Sequence, residues 1–205
     1  MAYQLVQRDR CVFHITHIKN VPTIVRHGLL CKNLVVQRGI GYTDVAHDNI
    51  QDVRSRICVP SGSERTLHDY VPAFFGARPP MLYAVRRKGI SQEDMVYILI
   101  KWSVLDYPDT YFSDGNARTN GTQFFTGTSN LSQIDFAAVE ARYWADKGAE
   151  FKRRKQAEVL KPDSVSTEDI LGFMVHNAGV EQKVQTILTA QDISRRIYVA
   201  PEFYY

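Results

Sequence analysis

The 205-residue sequence lacks the features that mark several protein classes. Its three cysteines, Cys11, Cys31 and Cys58, have neither the paired spacing of a zinc site nor the even number of a disulfide framework. No window reaches the apolar length of a membrane-spanning helix, and the opening MAYQLVQRDR has no apolar signal-peptide core. We therefore expect a cytoplasmic protein that binds neither a membrane nor a metal ion.

The chain also has no internal repeat, low-complexity tract or linker, so we expect one domain over residues 1–205. Its net charge of +3 is compatible with a nucleic-acid partner but does not argue for one. Positive charge is concentrated at RRK (86–88) and KRRK (152–155). Such runs are often solvated helix faces, and that alternative stays open here.

Hydrophobic periodicity predicts short strands separated by a few helices. Strands are expected at 12–18, 95–102, 169–175 and 197–199, and helices at 21–29, 48–56, 131–144 and 180–188. Gly28 is expected to end the first of these helices, Asp48 to cap the second and Asp135 to cap part of the third. Segments 32–47 and 107–128 carry turn residues and are expected to be loops. This order favours an α+β fold over a doubly wound sheet.

Two short motifs place polar groups where a strand would align them. His14 and Thr16 would share one strand face and could hold a ribose or an amide, or simply form the exposed face of an edge strand. Gln156, Glu158 and Leu160 would share another face. Glu158 could stabilise the cationic centre formed when a glycosidic bond to nicotinamide breaks, or pair on the surface with Lys155 or Arg154.

A third motif, LHDYVPAFFGARPPMLY at 67–83, surrounds a turn with aromatic residues. Arg78 lies in this turn and could bind a phosphate with two parallel hydrogen bonds, or an aspartate in a structural role. The motif is equally compatible with an aromatic corner of the core.

Taken in order, HITHIKNVPTIVRHGLL (14–30), IQDVRSR (50–56), LHDYVPAFFGARPPMLYAV (67–85) and KRRKQAEVL (152–160) resemble the DarT family. These toxins ADP-ribosylate bases of single-stranded DNA, and the resemblance runs over most of the chain to the ending PEFYY. It implies an ADP-ribosyltransferase-like, curved and split β-sandwich with flanking helices around a cleft for NAD⁺, the co-substrate.

The resemblance also assigns roles to residues. Glu158 and Arg54 would be catalytic, and the NAD⁺-binding residues would be His14, Thr16, Tyr70, Phe74, Arg78 and Met81. Arg78 would face the diphosphate. Residues 32–50 would cover NAD⁺, and residues 107–157 would recognise the target strand. Nucleic-acid contacts are expected from Asn116, Arg118, Asn120, Gln123, Lys152, Arg153 and Arg154.

The family pattern is not followed everywhere: Ala73 and Phe74 replace a pair of aromatics, ARPP (77–80) replaces PRSP, and Val53 replaces a frequent arginine. By resemblance the acceptor is thymine N3, the partner is the macrodomain antitoxin DarG, and the chain is a monomer. Guanine in DNA, an RNA or protein acceptor, and a non-catalytic nucleic-acid-binding module are the alternatives.

Overall fold

A computed structural model describes residues 11–46, 48–60 and 63–205, leaving the side chains of Asp48 and Asn49 undescribed. In these described residues, ten strands form an eight-stranded mixed sheet and a separate two-stranded one. The fold is α+β with helices flanking a large sheet, as the sequence predicts. Within the described part of the chain, no helix is long and apolar enough to span a membrane.

The strands are β1 (Cys11–His17), β2 (Leu29–Leu30), β3 (Tyr70–Phe74), β4 (Met95–Lys101), β5 (Tyr111–Ser113), β6 (Phe124–Thr126), β7 (Glu158–Pro162), β8 (Ser164–Val165), β9 (Ile170–Val175) and β10 (Arg196–Val199). The helices are α1 (Val21–His27), α2 (Lys32–Gln37), α3 (Asp48–Arg54), α4 (Pro80–Arg87), α5 (Phe136–Glu140), α6 (Gly148–Arg154) and α7 (Ala178–Thr189). The order in the large sheet is β10-β9-β4-β1-β3-β7-β5-β6, and β2 pairs with β8.

The middle of the sheet is buried on both faces, which explains the continuous apolar run of β4. Along β4, Val96 and Ile98 pack into one core with α1 and α7, whereas Tyr97 and Leu99 pack into a second core with α4 and the C-terminal residues. Side chains of a strand alternate between faces, so an apolar residue is needed at every position. β1 and β4 pair along their whole length and form a rigid base.

The cleft opens beside β1. In the described residues, the backbone pairing of β1 with β3 is limited to Phe13 with Phe74. β3 then pairs over five residues with β7, which sets Phe74 opposite Glu158. The backbone pairing between β1 and β3 is therefore a single residue pair, and His14 of β1 and Glu158 of β7 line the same cavity.

Several predicted boundaries are confirmed and others are wrong. Gly28 ends α1 at φ 77°, and a side chain there would lie 2.3 Å from the Val165 carbonyl oxygen. Asp135 caps α5 by accepting a hydrogen bond from the Ala138 amide. The prediction of one helix over 131–144 is wrong. The structure has a 3₁₀ segment there, followed by α5, which is only five residues long. The predicted N-cap role of Asp48 concerns a side chain outside the described residues.

The two predicted loops contain regular structure. Segment 32–47 begins with α2, and only residues 38–46 are irregular within its described part. Segment 107–128 contains the hairpin β5–β6, which extends the large sheet beyond β7. The sequence missed this hairpin because both strands have only three residues, too few for alternation to be recognised.

Candidate active site

A cavity of about 380 Å³ lies between β1, β7, α4 and the segment formed by α2, residues 38–46 and α3. Such a volume is typical of small-molecule and cofactor pockets. The predicted site residues on its wall are His14, Thr16, Arg54, Tyr70, Phe74, Met81, Asn116, Arg118, Lys152 and Glu158. The structure therefore brings together residues from motifs more than 140 positions apart.

Glu158 is the first residue of β7, and its side chain is only 3% exposed. Its Oε2 accepts a hydrogen bond from Arg54 Nη1 at 3.0 Å, and its Oε1 accepts one from the Ala117 amide at 3.0 Å. A buried carboxylate needs such partners to remain charged. Each oxygen still has a second acceptor position for a ligand hydroxyl.

The alternative of a surface ion pair for Glu158 is wrong. Lys155 is buried and donates its Nζ to the Val139 carbonyl at 3.0 Å, while burial lowers its pKa to about 8. Arg154 forms ion pairs with Glu150 and Asp135. Both cations are therefore engaged with groups other than Glu158.

Arg54 is the last residue of α3 and reaches across the cavity to Glu158. Its second terminal nitrogen, Nη2, is buried and has no hydrogen-bond partner in the described part of the protein. A buried guanidinium N–H without an acceptor is energetically unfavourable. Arg54 itself lines the cavity, so a ligand oxygen that reached Nη2 would remove this cost.

His14 presents an acceptor to the cavity. Its Nδ1 lies 2.7 Å from the Pro72 carbonyl oxygen, which can only accept, so Nδ1 carries the proton. Burial lowers the pKa of His14, despite the opposing effect of this hydrogen bond. The neutral ring therefore offers the Nε2 lone pair. β1 is an internal strand between β4 and β3, so the edge-strand alternative is wrong.

Thr16 is buried, and its hydroxyl accepts a hydrogen bond from Asn20 Nδ2 at 3.0 Å. The Asn20 side chain also bonds the backbone of Thr43. Its Nδ2 donates to the Thr43 carbonyl at 2.9 Å, and its Oδ1 accepts a hydrogen bond from the Thr43 amide at 2.8 Å. Asn20 thus tethers residues 38–46 to the end of β1. Sequence reasoning missed Asn20, although an asparagine four residues after a site threonine was a usable signal.

The irregular segment 38–46 is also held through Asp44. The Asp44 carboxylate accepts hydrogen bonds from Lys32 Nζ and Gln51 Nε2, both at 2.9 Å, and from the Tyr42 hydroxyl. Burial alone would raise the pKa of Asp44, but the hydrogen bonds from Lys32 and the Ala46 amide lower it overall. None of these side chains was predicted individually as a site residue from the sequence.

The opposite wall is apolar. Phe74, Met81 and Tyr70 line it, and the Tyr70 hydroxyl donates to the Val59 carbonyl at 2.8 Å. Buried aromatic and thioether groups suit a flat heterocycle. With the polar groups of His14 and Thr16 on the facing side, the cavity has one apolar and one hydrogen-bonding half.

Arg78 is not on the cavity wall. Its backbone is in the left-handed region at φ 54°, and Nη1 donates to the carbonyls of Glu202 and Tyr204 at 3.3 and 2.6 Å. Its guanidinium lies 4.4 Å from the centre of the Tyr205 ring. In this structure Arg78 holds the C-terminal residues, not a group in the cavity.

The residues predicted to contact nucleic acid are divided between two environments. Asn116, Arg118 and Lys152 line the cavity. Asn120 and Gln123 are exposed on the β5–β6 hairpin, away from the wall. Arg153 binds Asp114 through two hydrogen bonds of 2.8 and 3.0 Å, and Arg154 is paired as described above. Within the KRRK run, Arg153 and Arg154 are thus paired with acidic groups, Lys155 is buried, and Lys152 lines the cavity.

Metal ligands are not grouped anywhere in the described ranges: no three His, Cys, Asp or Glu side chains are arranged to hold an ion. The site is instead built from a carboxylate, a guanidinium, a neutral imidazole and an apolar wall around a nucleotide-sized cavity. A split mixed sheet that carries such a site is the architecture of an ADP-ribosyltransferase.

Residues 13–205 match the model of the family described as ssDNA thymidine ADP-ribosyltransferase, DarT. The chain belongs to the DarT family.

Relatives cover nearly the whole chain. A DNA ADP-ribosyl transferase of Thermus sp. (strain 2.9) is 32% identical over 203 residues, covering 95% of each protein. The solved structure of Thermus sp. 2.9 DarT in complex with ADP-ribosylated ssDNA superposes with a TM-score of 0.87 at 30% identity, covering 97% of each chain. The Thermosipho africanus DarTG structure in complex with ADP-ribose matches 96% of this chain and 51% of that chain, with a TM-score of 0.85 and 26% identity.

Proposed function

We propose that this protein transfers ADP-ribose from NAD⁺ to a base of single-stranded DNA and releases nicotinamide. The observation that carries the proposal is the buried Glu158–Arg54 pair on the wall of the cavity. Membership of the DarT family and the likeness to a DarT bound to ADP-ribosylated ssDNA support the same reaction.

In the proposed step, the bond between the nicotinamide nitrogen and ribose C1′ breaks, and its electron pair leaves with nicotinamide. The ribose carbon becomes cationic, and the negative charge of Glu158 stabilises it. The acceptor nitrogen then forms the new C1′–N bond, and its proton passes to Glu158. Charge and atoms balance without a metal or a covalent enzyme intermediate.

Arg54 supplies the second electrostatic element. Its Nη1 binds Glu158, and its unpartnered Nη2 would donate to a carbonyl oxygen of the acceptor base. A cation next to the base lowers the pKa of the adjacent ring N–H and so makes that nitrogen a better nucleophile. Arg54 therefore acts on the acceptor base, whereas Glu158 acts on the ribose and then on the acceptor proton.

NAD⁺ would be oriented by the two halves of the cavity. Phe74 and Met81 would contact the nicotinamide, while His14 Nε2 and the Thr16 hydroxyl would bond the nicotinamide ribose and amide. Segment 38–46 and the flanking helices α2 and α3 would cover the cofactor. Since Arg78 is engaged with the C-terminal residues, Lys32 is the cation on this side of the wall that would face the diphosphate.

The target strand would enter from the side of residues 107–157. Asn116 offers a side-chain amide for a base edge, and Arg118 and Lys152 offer charge for phosphates. All three line the cavity near Glu158. Contacts from Asn120, Gln123, Arg153 and Arg154 require the strand to continue along the exposed hairpin and α6.

Within this proposal the acceptor is thymine N3, in keeping with the family description. The test uses labelled NAD⁺ and a set of oligonucleotides that each lack one base, with the product examined by mass spectrometry. We expect addition of one ADP-ribosyl group wherever thymine is present. Modification of the thymine-free oligonucleotide, with guanine carrying the label, would show that guanine and not thymine is the acceptor base.

The class of acceptor needs a separate test. We expect the labelled product formed in a cell extract to be destroyed by a single-strand-specific deoxyribonuclease and to survive ribonuclease and protease. A ribonuclease- or protease-sensitive product would assign the acceptor to RNA or protein. Absence of any product, with NAD⁺ still bound, would favour a non-catalytic module.

The proposal includes a toxin role for a monomer in the cytoplasm, opposed by a macrodomain partner of the DarG type. A Thermosipho africanus relative that is 27% identical over 188 residues is a DNA ADP-ribosyl transferase–DNA ADP-ribosyl glycohydrolase fusion protein. Expression in bacteria should stop growth, and co-expression with such a glycohydrolase should restore it. Light scattering of the purified chain tests the monomer.

A further inference from the structure

The helix that carries Arg54 has little hydrophobic anchorage. Of the α3 side chains that the structure describes, at positions 50–54, none is buried, and Val53 is 40% exposed. Burial of an apolar face normally fixes a short helix, because seven residues are too few for stability on their own. The position of α3 must therefore depend on polar contacts.

Among the same described side chains, two form hydrogen bonds to other parts of the protein: Arg54 and Gln51. Arg54 binds Glu158. Gln51 binds Asp44 through Nε2 at 2.9 Å and His68 through Oε1 at 3.0 Å. Residues three apart lie on the same face of a helix, so Gln51 and Arg54 hold one face of α3 at two heights.

The polarity of the Gln51 contacts is unambiguous. The Asp44 carboxylate can only accept, so the NH₂ group of Gln51 faces it and the carbonyl oxygen faces His68. His68 must then donate from Nε2. Burial and the positive charges of Arg54 and Lys32 lower the pKa of His68, which agrees with a neutral ring carrying its proton on Nε2.

We infer that Gln51 is a positioning residue that sets Arg54 against Glu158. It does so by bridging residues 38–46, here called the covering segment, at Asp44 and the turn before β3 at His68. This inference rests on the proposed function, since it concerns the same catalytic pair. It adds that the covering segment and the catalytic guanidinium are mechanically coupled through one amide side chain.

The test is a double-mutant cycle on the transfer reaction. Gln51→Ala should lower kcat by about tenfold to a hundredfold, the effect of a misplacement near 1 Å, while the Kd of NAD⁺ measured without DNA stays within about twofold. In the Arg54→Ala background, Gln51→Ala should cause no further loss of kcat. Val53→Ala, on the same helix, is the matched control and should leave kcat unchanged.

An equal fold loss in both backgrounds would overturn the inference, because Gln51 would then act independently of Arg54. A raised Kd for NAD⁺ with unchanged kcat would also overturn it, by making Gln51 a ligand contact. If Gln51→Ala strongly reduces the melting temperature, a second pair of substitutions, Gln51→Glu and Asp44→Asn, is used in its place. Gln51→Glu places a second carboxylate against that of Asp44 and should lower kcat. Adding Asp44→Asn should recover part of that loss, and a lack of recovery would contradict the bridge.

The side-chain NMR signal of Arg54 gives a readout that does not depend on catalysis. It should shift in Gln51→Ala and not in Val53→Ala, and an unmoved signal would refute the positioning role. If wild-type protein transfers nothing to DNA, the proposed function fails while this measurement still decides the role of Gln51.

Discussion

The two sides of the cavity are built in different ways. The Glu158 side belongs to the large sheet, where β7 pairs with β3 and β5 and its first three residues are buried. The Arg54 side is formed by α2, residues 38–46 and α3, whose described side chains are mostly exposed or partly exposed. Packing fixes the first side, and hydrogen bonds between polar side chains fix the second.

This difference matches the two tasks of the site. A carboxylate that stabilises a cationic centre must be held in place before the reaction, because rearrangement during the step would cost free energy. A segment that covers a cofactor must open to admit it. Hydrogen bonds among partly exposed groups contribute about 1 kcal/mol each, so they can be exchanged at small cost, whereas a buried sheet cannot.

The largest expected effect lies on the rigid side. Glu158→Gln keeps the shape of the side chain but removes its charge, so we expect the transfer rate to fall by about 10³-fold with NAD⁺ binding retained. Nicotinamide release followed by chromatography measures the rate, and Glu168→Gln, an exposed site, is the control. Near wild-type transfer by Glu158→Gln would place the chemistry elsewhere.

A smaller loss is expected for Arg54→Lys on the polar side. Lysine keeps the positive charge but cannot donate to Glu158 and to the base from two fixed nitrogens. We expect kcat to fall by about tenfold to a hundredfold and the Kd of NAD⁺ to change little. Single-turnover transfer to a thymine-containing oligonucleotide measures this, and full activity would show that charge alone suffices.

Asn20→Ala tests the tether of the covering segment. It removes two hydrogen bonds to the Thr43 backbone and one to Thr16, so we expect the KM for NAD⁺ to rise by about fivefold to tenfold with kcat nearly unchanged. Asn130→Ala, which removes a side-chain bond to the Thr126 carbonyl on the hairpin, is the matched control. A fall in kcat without a change in KM would assign Asn20 to the chemistry instead.

The smallest expected effect is a pH dependence at His14. Its pKa lies below the ordinary value of 6.5, so the ring is neutral at pH 7 and its Nε2 can accept. Affinity for NAD⁺ should be constant above pH 6.5 and decline only as the pH falls through the lowered pKa, because protonation removes the acceptor. Titration calorimetry at pH values from 7.5 downward should show the decline, at a pH below 6.5, in the wild type but not in His14→Gln.

The sequence predicted the rigid side better than the polar side. β1, β4 and β9 are recognised within a residue or two because their burial leaves a strong apolar pattern. The pairing of Glu158 with Arg54 followed from family resemblance, since the two residues are 104 positions apart and no local pattern connects them. The helix α2 was missed because its described residues 32–37 bury no side chain fully and so leave no amphipathic signature.

The interpretation of charged residues was the least predictable from sequence. The run at 152–155 was compatible with a solvated helix face, or with nucleic-acid contacts from Lys152, Arg153 and Arg154, yet its four side chains have separate environments. Lys155 is buried, Arg153 and Arg154 are bound to acidic groups, and Lys152 lies at the cavity with its Nζ 5.4 Å from the centre of the Trp144 ring. Only the tertiary fold brings Asp114 and Asp135 to α6, so local sequence cannot reveal these pairs.

The most direct test is a crystal structure of this protein with carba-NAD⁺ and a short thymine-containing oligonucleotide. We expect a nicotinamide-ribose hydroxyl within about 3 Å of Glu158, a thymine carbonyl oxygen at a similar distance from Arg54 Nη2, and thymine N3 facing ribose C1′. A cofactor bound with its nicotinamide ribose away from Glu158, or a base that approaches without contacting Arg54, would contradict it.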